Sequence, residues 1–343
     1  MPSNYLFIVE IAQRLGAYAF LLSTIFGFLH ISLTLFGVRN VFGTYRYLMV
    51  AFTVLGIFLA MLEIIFHPNL HFYNNGFAYF TLSKPFNLSK ETLRIVLGFY
   101  TGVYSSTISL LGVQFIYRYR AIFCFGNLKL FSGWLILVWF SYCLFFGALW
   151  WAGEYFLLKL DDVSKNYFQE EMCLRYDATS DDLPLTIFLA YDPNDGSPRL
   201  KNIMYTLLMT TIMSVQYGTM VYCGYQLYTQ MESKLQCLSN VKKHLHRQLF
   251  KTLVLQITAP TIFLFSPLFL VIYLPYLQTQ LSFPAGATIS AFSFFPALDS
   301  FIVMSVVTEY RLAGKRLFKS LFHNVWNFVA KRTVVTSSSS IQE

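Results

Sequence analysis

Charged residues are scarce in this chain. Of its 343 residues, only 12% are Asp, Glu, Lys or Arg, whereas 56% are hydrophobic. A water-soluble domain carries about 25% charged residues, so this composition excludes an ordinary soluble enzyme. Pro and Gly, at 11 and 18 residues, are too few for a collagen-like or disordered chain. We therefore expect an integral membrane protein.

Metal-binding and catalytic patterns are also missing. The five cysteines form no CxxC pair, and the chain has no HExxH, GxGxxG, Walker or GxSxG motif. His67 and His71 are spaced to share one face of a helix, but they flank Pro68, and a zinc site there is the weaker interpretation. We predict no enzyme activity, no metal and no cofactor. Cys173 alone falls on the predicted outer side, so no structural disulfide is expected.

Seven long apolar runs account for most of the chain. Each is long enough to cross a hydrocarbon core of ~30 Å as a helix, which satisfies its own backbone hydrogen bonds in lipid. The strands of a β-barrel alternate over ~10 residues, and these runs do not. The sequence therefore predicts an all-α membrane protein, a seven-transmembrane helix bundle spanning residues 16–310. The predicted spans are Gly16–Gly37, Tyr47–Phe66, Ile95–Ile116, Phe131–Gly153, Asn202–Tyr228, Thr252–Leu274 and Pro284–Thr308.

Charge is distributed unevenly around these spans. If residues 1–15 are extracellular, most Lys and Arg fall on the cytoplasmic side, and ten of the 17 acids lie between Glu154 and Asp195 on the outer side. The positive-inside rule therefore predicts an outside N-terminus and an inside C-terminus. The basic inner face suits anionic lipid or a protein partner better than nucleic acid.

Three segments outside the spans carry further signals. The acidic stretch Glu154–Lys201 is rich in turn dipeptides, which is typical of a solvated loop or of a lid over an outward-facing pocket. Residues 312–330 alternate apolar and basic positions at helical spacing, which predicts an amphipathic helix on the inner leaflet, within a cytoplasmic tail over residues 311–343. Asn87 begins an N-glycosylation sequon on the predicted outer side.

Two acids lie within the predicted spans. We interpret Glu63, near the outer end of the second span, as a carboxylate that reaches interfacial water. Asp299 lies in the inner half of the seventh span, shortly after Pro296, and we interpret it as a hydrogen-bonding or protonation switch between packed helices. Isolated acids at different depths form neither a hydrolytic pair nor a proton relay. An enzyme and an ion-coupled transporter therefore lose support.

Five short segments carry a family resemblance and follow one another along nearly the whole chain. They are FGTYRYLM at 42–49, HFYN at 71–74, LGVQFIYRY at 111–119, QLFK at 248–251 with Gln256 and Pro260, and PALD at 296–299 with Tyr310 and Arg311. Together they resemble the nematode seven-transmembrane chemoreceptors of the Str group (serpentine receptor class r). Ser300 departs from that pattern, because the family has a proline after the aspartate.

The resemblance implies a G-protein-coupled chemosensory receptor in the plasma membrane, in the cilia of sensory neurons. Its partners would be a small odorant-like ligand and a heterotrimeric G protein. An apolar ligand would lie between the outer halves of helices three, five, six and seven. The side chains assigned to this ligand site are Tyr100, Tyr104, Ser105, Tyr205, Met209, Phe265, Phe269 and Tyr273.

The resemblance also assigns coupling and switching residues at the inner end. Arg118, Tyr117, Tyr119, Lys242, Lys243 and Arg247 would face the G protein. Asp299, Pro296, Pro260 and Tyr310 would act in the switch, since prolines free backbone carbonyls and allow helices to bend. Two other classes stay open: a ligand-gated channel, which would have the opposite topology, and a small-solute carrier, which would need discontinuous helices with polar clusters at mid-membrane.

Overall fold

Seven long helices form the body of the protein. The computed structural model describes residues 4–38, 43–123, 125–235, 252, 254–317 and 319. A shorter helix, α5 (Asp162–Tyr176), lies outside the bundle. The seven bundle helices are α1 (Leu6–Ser32, continued by a π turn over Leu33–Gly37), α2 (Tyr45–Phe66), α3 (Lys90–Phe123), α4 (Ile136–Leu157), α6 (Leu200–Leu235), α7 (Val254–Leu277) and α8 (Gly286–Val306).

Six of these helices, within the described part of the chain, are long and apolar enough to cross a membrane. The remaining one, α6, packs against α3 and α4 in the same bundle. Its polar residues Asn202, Thr206 and Gln216 are buried, so they lower its mean hydropathy without facing lipid. The predicted seven-transmembrane bundle is confirmed.

Helix α3 is the central element of the bundle. It contacts α2, α4 and α6, and most of its side chains from Leu93 to Arg118 are buried. Helix α4 is the opposite case, because few of its side chains are buried, and many, such as Leu144 and Phe145, are exposed and suited to lipid. We name the end at which α1 begins the outer end.

A small antiparallel sheet covers the outer end, and the sequence analysis did not predict it. Its strands are β1 (Asn69–Tyr73), β2 (Gly76–Phe80), β3 (Thr186–Leu189) and β4 (Ser282–Pro284), in the order β3-β2-β1-β4. The register pairs Leu70 with Tyr79 and Phe77 with Phe188. Three separate inter-helix connections therefore meet in one sheet.

Both faces of this sheet are buried. Phe77 and Tyr79 point into the bundle core, whereas Ala78 and Phe80 join a second small core with Phe168 of α5. Alternate residues of a strand face opposite sides, so β2 divides its side chains between the two cores. The connection Glu154–Lys201 is thus not a solvated loop: it folds as α5 and β3 and forms part of a packed cap.

The helices extend beyond several predicted spans. Helix α1 begins at Leu6 rather than Gly16, and α3 covers Lys90–Phe123 rather than Ile95–Ile116. Helix α4 is shifted toward the outer end, to Ile136–Leu157. Apolar runs mark only the stretch suited to hydrocarbon, and the helices continue into polar residues at its edges. After α8, residues 308–317 are helical; the remainder of the predicted amphipathic helix, apart from residue 319, lies outside the described residues.

Candidate functional site

A cavity of about 80 Å³ lies between the outer halves of the helices and the inner face of the sheet. Nearly all of its lining is aromatic or aliphatic. Five helices and three strands contribute to it, so most of the outer half of the bundle converges there. The lining residues are Leu70, Phe77, Tyr79, Tyr100, Thr101, Tyr104, Trp150, Glu154, Leu158, Thr186, Tyr205, Leu268, Val271, Ile289 and Phe292.

Three of the predicted ligand-binding residues meet in this cavity. Tyr100 and Tyr104 are one turn apart on α3, and Tyr205 reaches the cavity from α6. The ring of Tyr104 lies 4.7 Å from that of Phe292 and 5.9 Å from that of Trp150. These contacts join α3, α4 and α8 at the cavity wall.

Three other predicted residues line a different space. Phe265, Phe269 and Tyr273 lie along a groove between α6 and α7, where the Tyr273 hydroxyl is 2.7 Å from the hydroxyl of Thr210. Phe269 is 55% exposed. In a membrane this groove opens toward lipid. These three residues therefore do not line the cavity beneath the sheet.

The last two predicted ligand residues pack between helices. The Ser105 hydroxyl donates to the backbone oxygen of Phe146 on α4 at 3.1 Å. Met209 is fully buried and approaches Gly153 of α4. Neither lines the cavity.

Glu154 is a cavity residue that the sequence analysis missed. The predicted fourth span ended at Gly153, so Glu154 was counted among the acids of the outer connection. In the structure α4 continues to Leu157, and Glu154 is 4% exposed and lines the cavity. The Thr101 hydroxyl donates to its Oε2 at 2.5 Å. The sequence feature that could have identified Glu154 is its position directly after an apolar run rich in tryptophan.

Two other expectations about outer polar residues are wrong. Glu63 does not reach interfacial water: it is 4% exposed, with its Oε2 3.5 Å from the Tyr100 hydroxyl, because α1 approaches closely at Gly16. His67 and His71 do not share a helical face, since α2 ends at Phe66 and His71 lies in β1. Asn87, the predicted glycosylation site, is exposed between β2 and α3.

The inner end of α3 holds a buried polar cluster. Arg118 is 7% exposed, and its Nε donates to the Tyr45 hydroxyl of α2 at 2.7 Å. The ring of Tyr117 stacks on that of Tyr45 at 5.0 Å, while Tyr119 contacts Tyr222 of α6. Arg118 therefore points inward here and is not a cation that reaches interfacial water. Lys242, Lys243 and Arg247, the remaining predicted coupling residues, lie outside the described residues.

The predicted switch residues join α7 and α8 to the rest of the bundle. The side-chain amide of Gln256 on α7 donates to Asp299 Oδ1 on α8 at 2.5 Å. Pro260 directly precedes the π turn Thr261–Phe265 in α7. Pro296 lies inside α8 against Gly56 of α2, so closely that a Cβ on Gly56 would be 2.3 Å from the proline ring.

Tyr310, the last predicted switch residue, contacts the inner end of α1. It is fully buried, and its hydroxyl is 2.7 Å from the hydroxyl of Thr34. The segment that follows α8 is thereby attached to the bundle.

The chain belongs to the family of serpentine type seven-transmembrane GPCR chemoreceptors named Str, whose model matches residues 12–315. It is 35% identical over 314 residues to the G-protein coupled receptor str-33 of Caenorhabditis elegans, covering 90% of this chain and 91% of that relative. It is 29% identical to the Serpentine receptor class r-10 of the same organism, covering 80% of this chain and 83% of that relative. The protein is therefore a multi-pass membrane receptor of the G-protein-coupled class, and the resemblance found in the sequence is confirmed.

Proposed function

We propose that this receptor detects a small chemical cue in the outer cavity and activates a heterotrimeric G protein at its inner end. We also propose the ciliary plasma membrane of sensory neurons as its location, because the family is one of chemoreceptors. The aromatic cavity supports a ligand with a largely apolar body, because such pockets bind small molecules by burying most of their surface.

One observation carries this proposal: three helices each have side chains both at the outer cavity and in the polar contacts of the inner half. Helix α3 carries Tyr104 at the cavity and Arg118 in the inner cluster. Helix α7 carries Leu268 at the cavity and Gln256 below the π turn. Helix α8 carries Phe292 at the cavity. Below Pro296, the same helix carries Asp299.

The irregular turns between these two levels are where the helices can bend. A π turn and an internal proline both interrupt the regular backbone hydrogen-bond ladder. A ligand favours the active arrangement only by binding it more tightly than the resting one. Bending of α7 and α8 would separate Gln256 from Asp299 and open the inner end.

In this mechanism Arg118 changes partners. In the resting arrangement it is hydrogen-bonded to Tyr45 and buried. Opening of the inner end would release it to the G protein, with Tyr117, Tyr119, Lys242, Lys243 and Arg247 around it. Arginine suits this role because its guanidinium donates several hydrogen bonds in a fixed plane.

The test is nucleotide exchange on purified G protein, driven by the expressed receptor and a panel of volatile and water-soluble compounds. We expect Arg118→Ala to abolish ligand-stimulated exchange while the receptor stays at the cell surface. Tyr45→Phe removes one restraint on Arg118 and should raise exchange without ligand. Arg120→Ala, which removes a neighbouring charge on the same helix, is the matched control and should still couple.

Undiminished exchange with Arg118→Ala would contradict the role of this residue. Equal loss with Arg120→Ala would assign coupling to general positive charge instead. Solute flux or conductance through the receptor without G protein would favour the carrier or channel alternative.

A further inference from the structure

One carboxylate oxygen in the cavity wall has no partner within the described structure. Glu154 is 4% exposed, and Thr101 donates to its Oε2, but its Oε1 is buried and makes no hydrogen bond. Leaving a buried polar atom unpaired costs free energy, more so when the group is charged. An unpaired acceptor on a residue that lines a cavity indicates that the occupant of the cavity supplies the donor.

Two of the tyrosine hydroxyls around the cavity are bonded to backbone oxygens. The Tyr104 hydroxyl is 3.5 Å from the backbone oxygen of Leu264, and the Tyr79 hydroxyl donates to that of Leu97 at 3.4 Å. The rings of these two residues, rather than their hydroxyls, therefore form the wall. The occupant meets mostly aromatic and aliphatic surface, with the Glu154 carboxylate among it.

No Lys, Arg or His is among the residues that line the cavity. The nearby Arg94 of α3 is not a lining residue, and its guanidinium lies over the Tyr155 ring, 5.0 Å from the ring centre. The cavity thus combines an acceptor with aromatic rings and lacks a lining cation. Aromatic faces attract cations electrostatically, most strongly where water is excluded.

We infer that the cavity binds a small organic amine as its ammonium ion, with Glu154 Oε1 accepting a hydrogen bond from the nitrogen. An amine that enters neutral would take the proton of a protonated Glu154, and the product is the same ion pair. The carbon body would lie against Tyr100, Tyr104, Trp150 and Tyr205. This inference rests on the ligand site of the proposed function and adds its chemical class.

The size of the cavity limits the ligand. A cavity of about 150 Å³ holds one benzene molecule, which has six heavy atoms, so the roughly 80 Å³ found here suits an amine of about three or four heavy atoms. Propylamine falls in this range. Propan-1-ol has the same shape without the positive charge, so the pair isolates the contribution of the carboxylate.

Binding is measured directly, by saturation-transfer NMR competition on the purified receptor in lipid nanodiscs without G protein. We expect propylamine to bind at least about tenfold more tightly than propan-1-ol, as a charge-assisted hydrogen bond allows. Glu154→Gln keeps the shape of the side chain and its acceptor for Thr101. It should weaken amine binding about tenfold or more and leave alcohol binding unchanged.

Two further variants make the result specific. Glu63→Gln removes another buried carboxyl that does not line the cavity, and it should bind propylamine like the unmodified receptor. Trp150→Leu keeps Glu154 but removes an aromatic ring, so it should reduce the preference for amine over alcohol. Thermal melting of each variant establishes that it is folded.

Equal affinities for the two probes, or full amine binding by Glu154→Gln, would overturn the inference, as would the absence of any amine binding. The proposed function is tested separately, by nucleotide exchange. If another compound activates the G protein while the amine does not bind, only the amine inference fails. If the amine binds but no compound drives exchange, only the coupling proposal fails.

Discussion

Three buried acidic or basic side chains of this bundle are hydrogen-bonded to a neighbouring helix. Arg118 meets Tyr45 of α2, Glu154 meets Thr101 of α3, and Asp299 meets Gln256 of α7. A polar group in hydrocarbon must find a partner inside the protein, so each pair fixes the position of two helices. Such a pair is also a discrete contact that helix movement can make or break.

The Asp299–Gln256 pair allows a test of this view. Asp299→Asn retains an acceptor for the Gln256 amide and should leave thermal stability nearly unchanged. Asp299→Leu leaves that amide buried without its acceptor and should reduce stability by about 1–3 kcal/mol, measured as a lower melting temperature in detergent.

The double variant Asp299→Leu, Gln256→Leu provides the control. It removes both partners, so it should be more stable than the sum of the single changes predicts. Strict additivity, or an Asn variant as unstable as the Leu variant, would mean that the hydrogen bond contributes little.

At the scale of elements, α3 and α4 approach so closely that glycine is required. A Cβ on Gly147 would lie 2.1 Å from the Ser106 hydroxyl and 2.8 Å from the backbone oxygen of Gly102. Small residues at such crossings let helix backbones pack together in membranes. Gly147→Val should therefore separate the helices and destabilise the receptor by about 1–3 kcal/mol, seen as lower melting temperature and less surface protein.

Gly218→Ala is the matched control for this change. Gly218 also lies inside a long helix, α6, but nothing is within 4 Å of a Cβ placed there. We expect this variant to be as stable as the unmodified receptor. A similar loss in both variants would show that the effect comes from helix conformation rather than from the crossing.

The bundle could be predicted from the sequence, because seven apolar runs have one structural solution in lipid. The sheet could not. In β2, Phe77, Ala78, Tyr79 and Phe80 are all buried, so the strand shows no alternation of polar and apolar residues. The four strands come from three different connections, and only β1 and β2 are neighbours in sequence. The pairing of β3 and β4 with them leaves no local pattern.

The candidate site was predicted in part for a similar reason. Tyr100, Tyr104 and Tyr205 were found because helix positions in the outer half can be counted from the ends of the runs. Phe265, Phe269 and Tyr273 lie at the same level but on the groove side of α7, and composition does not distinguish the two faces of an all-apolar helix. Glu154 was missed because a charged residue was taken as the end of the apolar run, so the predicted fourth span stopped one residue before it.

At the scale of the whole molecule, the cap, which consists of the four-stranded sheet and α5, covers the outer side of the cavity. His71 of β1 is buried in it, with Nδ1 2.9 Å from the Tyr176 hydroxyl and Nε2 3.2 Å from Glu171. Glu171 also accepts hydrogen bonds from Arg175 at 3.0 Å and from Ser282, beside β1, at 2.5 Å. One cluster therefore connects α5 to two strands. Loosening this cluster would loosen the roof of the cavity.

This cluster makes the cap sensitive to acid. Burial lowers the pKa of His71 from 6.5 to about 4, an effect larger than the opposing influence of Glu171. Between about pH 4 and pH 6.5, His71 binds a proton when the cap is unfolded but not when it is folded. Stability should therefore fall as pH decreases through this interval, by at most about 1.4 kcal/mol per pH unit, and stay level above it.

Hydrogen exchange of the backbone amides in residues 69–80 measures this effect, compared at about pH 7.5 and about pH 5 after correction for the intrinsic exchange rate. We expect the unmodified receptor to lose protection at the lower pH. His71→Gln, which carries no titratable group, should lose less. If both forms lose protection equally, another group controls the acid response, and protonation of His71 does not open the cap.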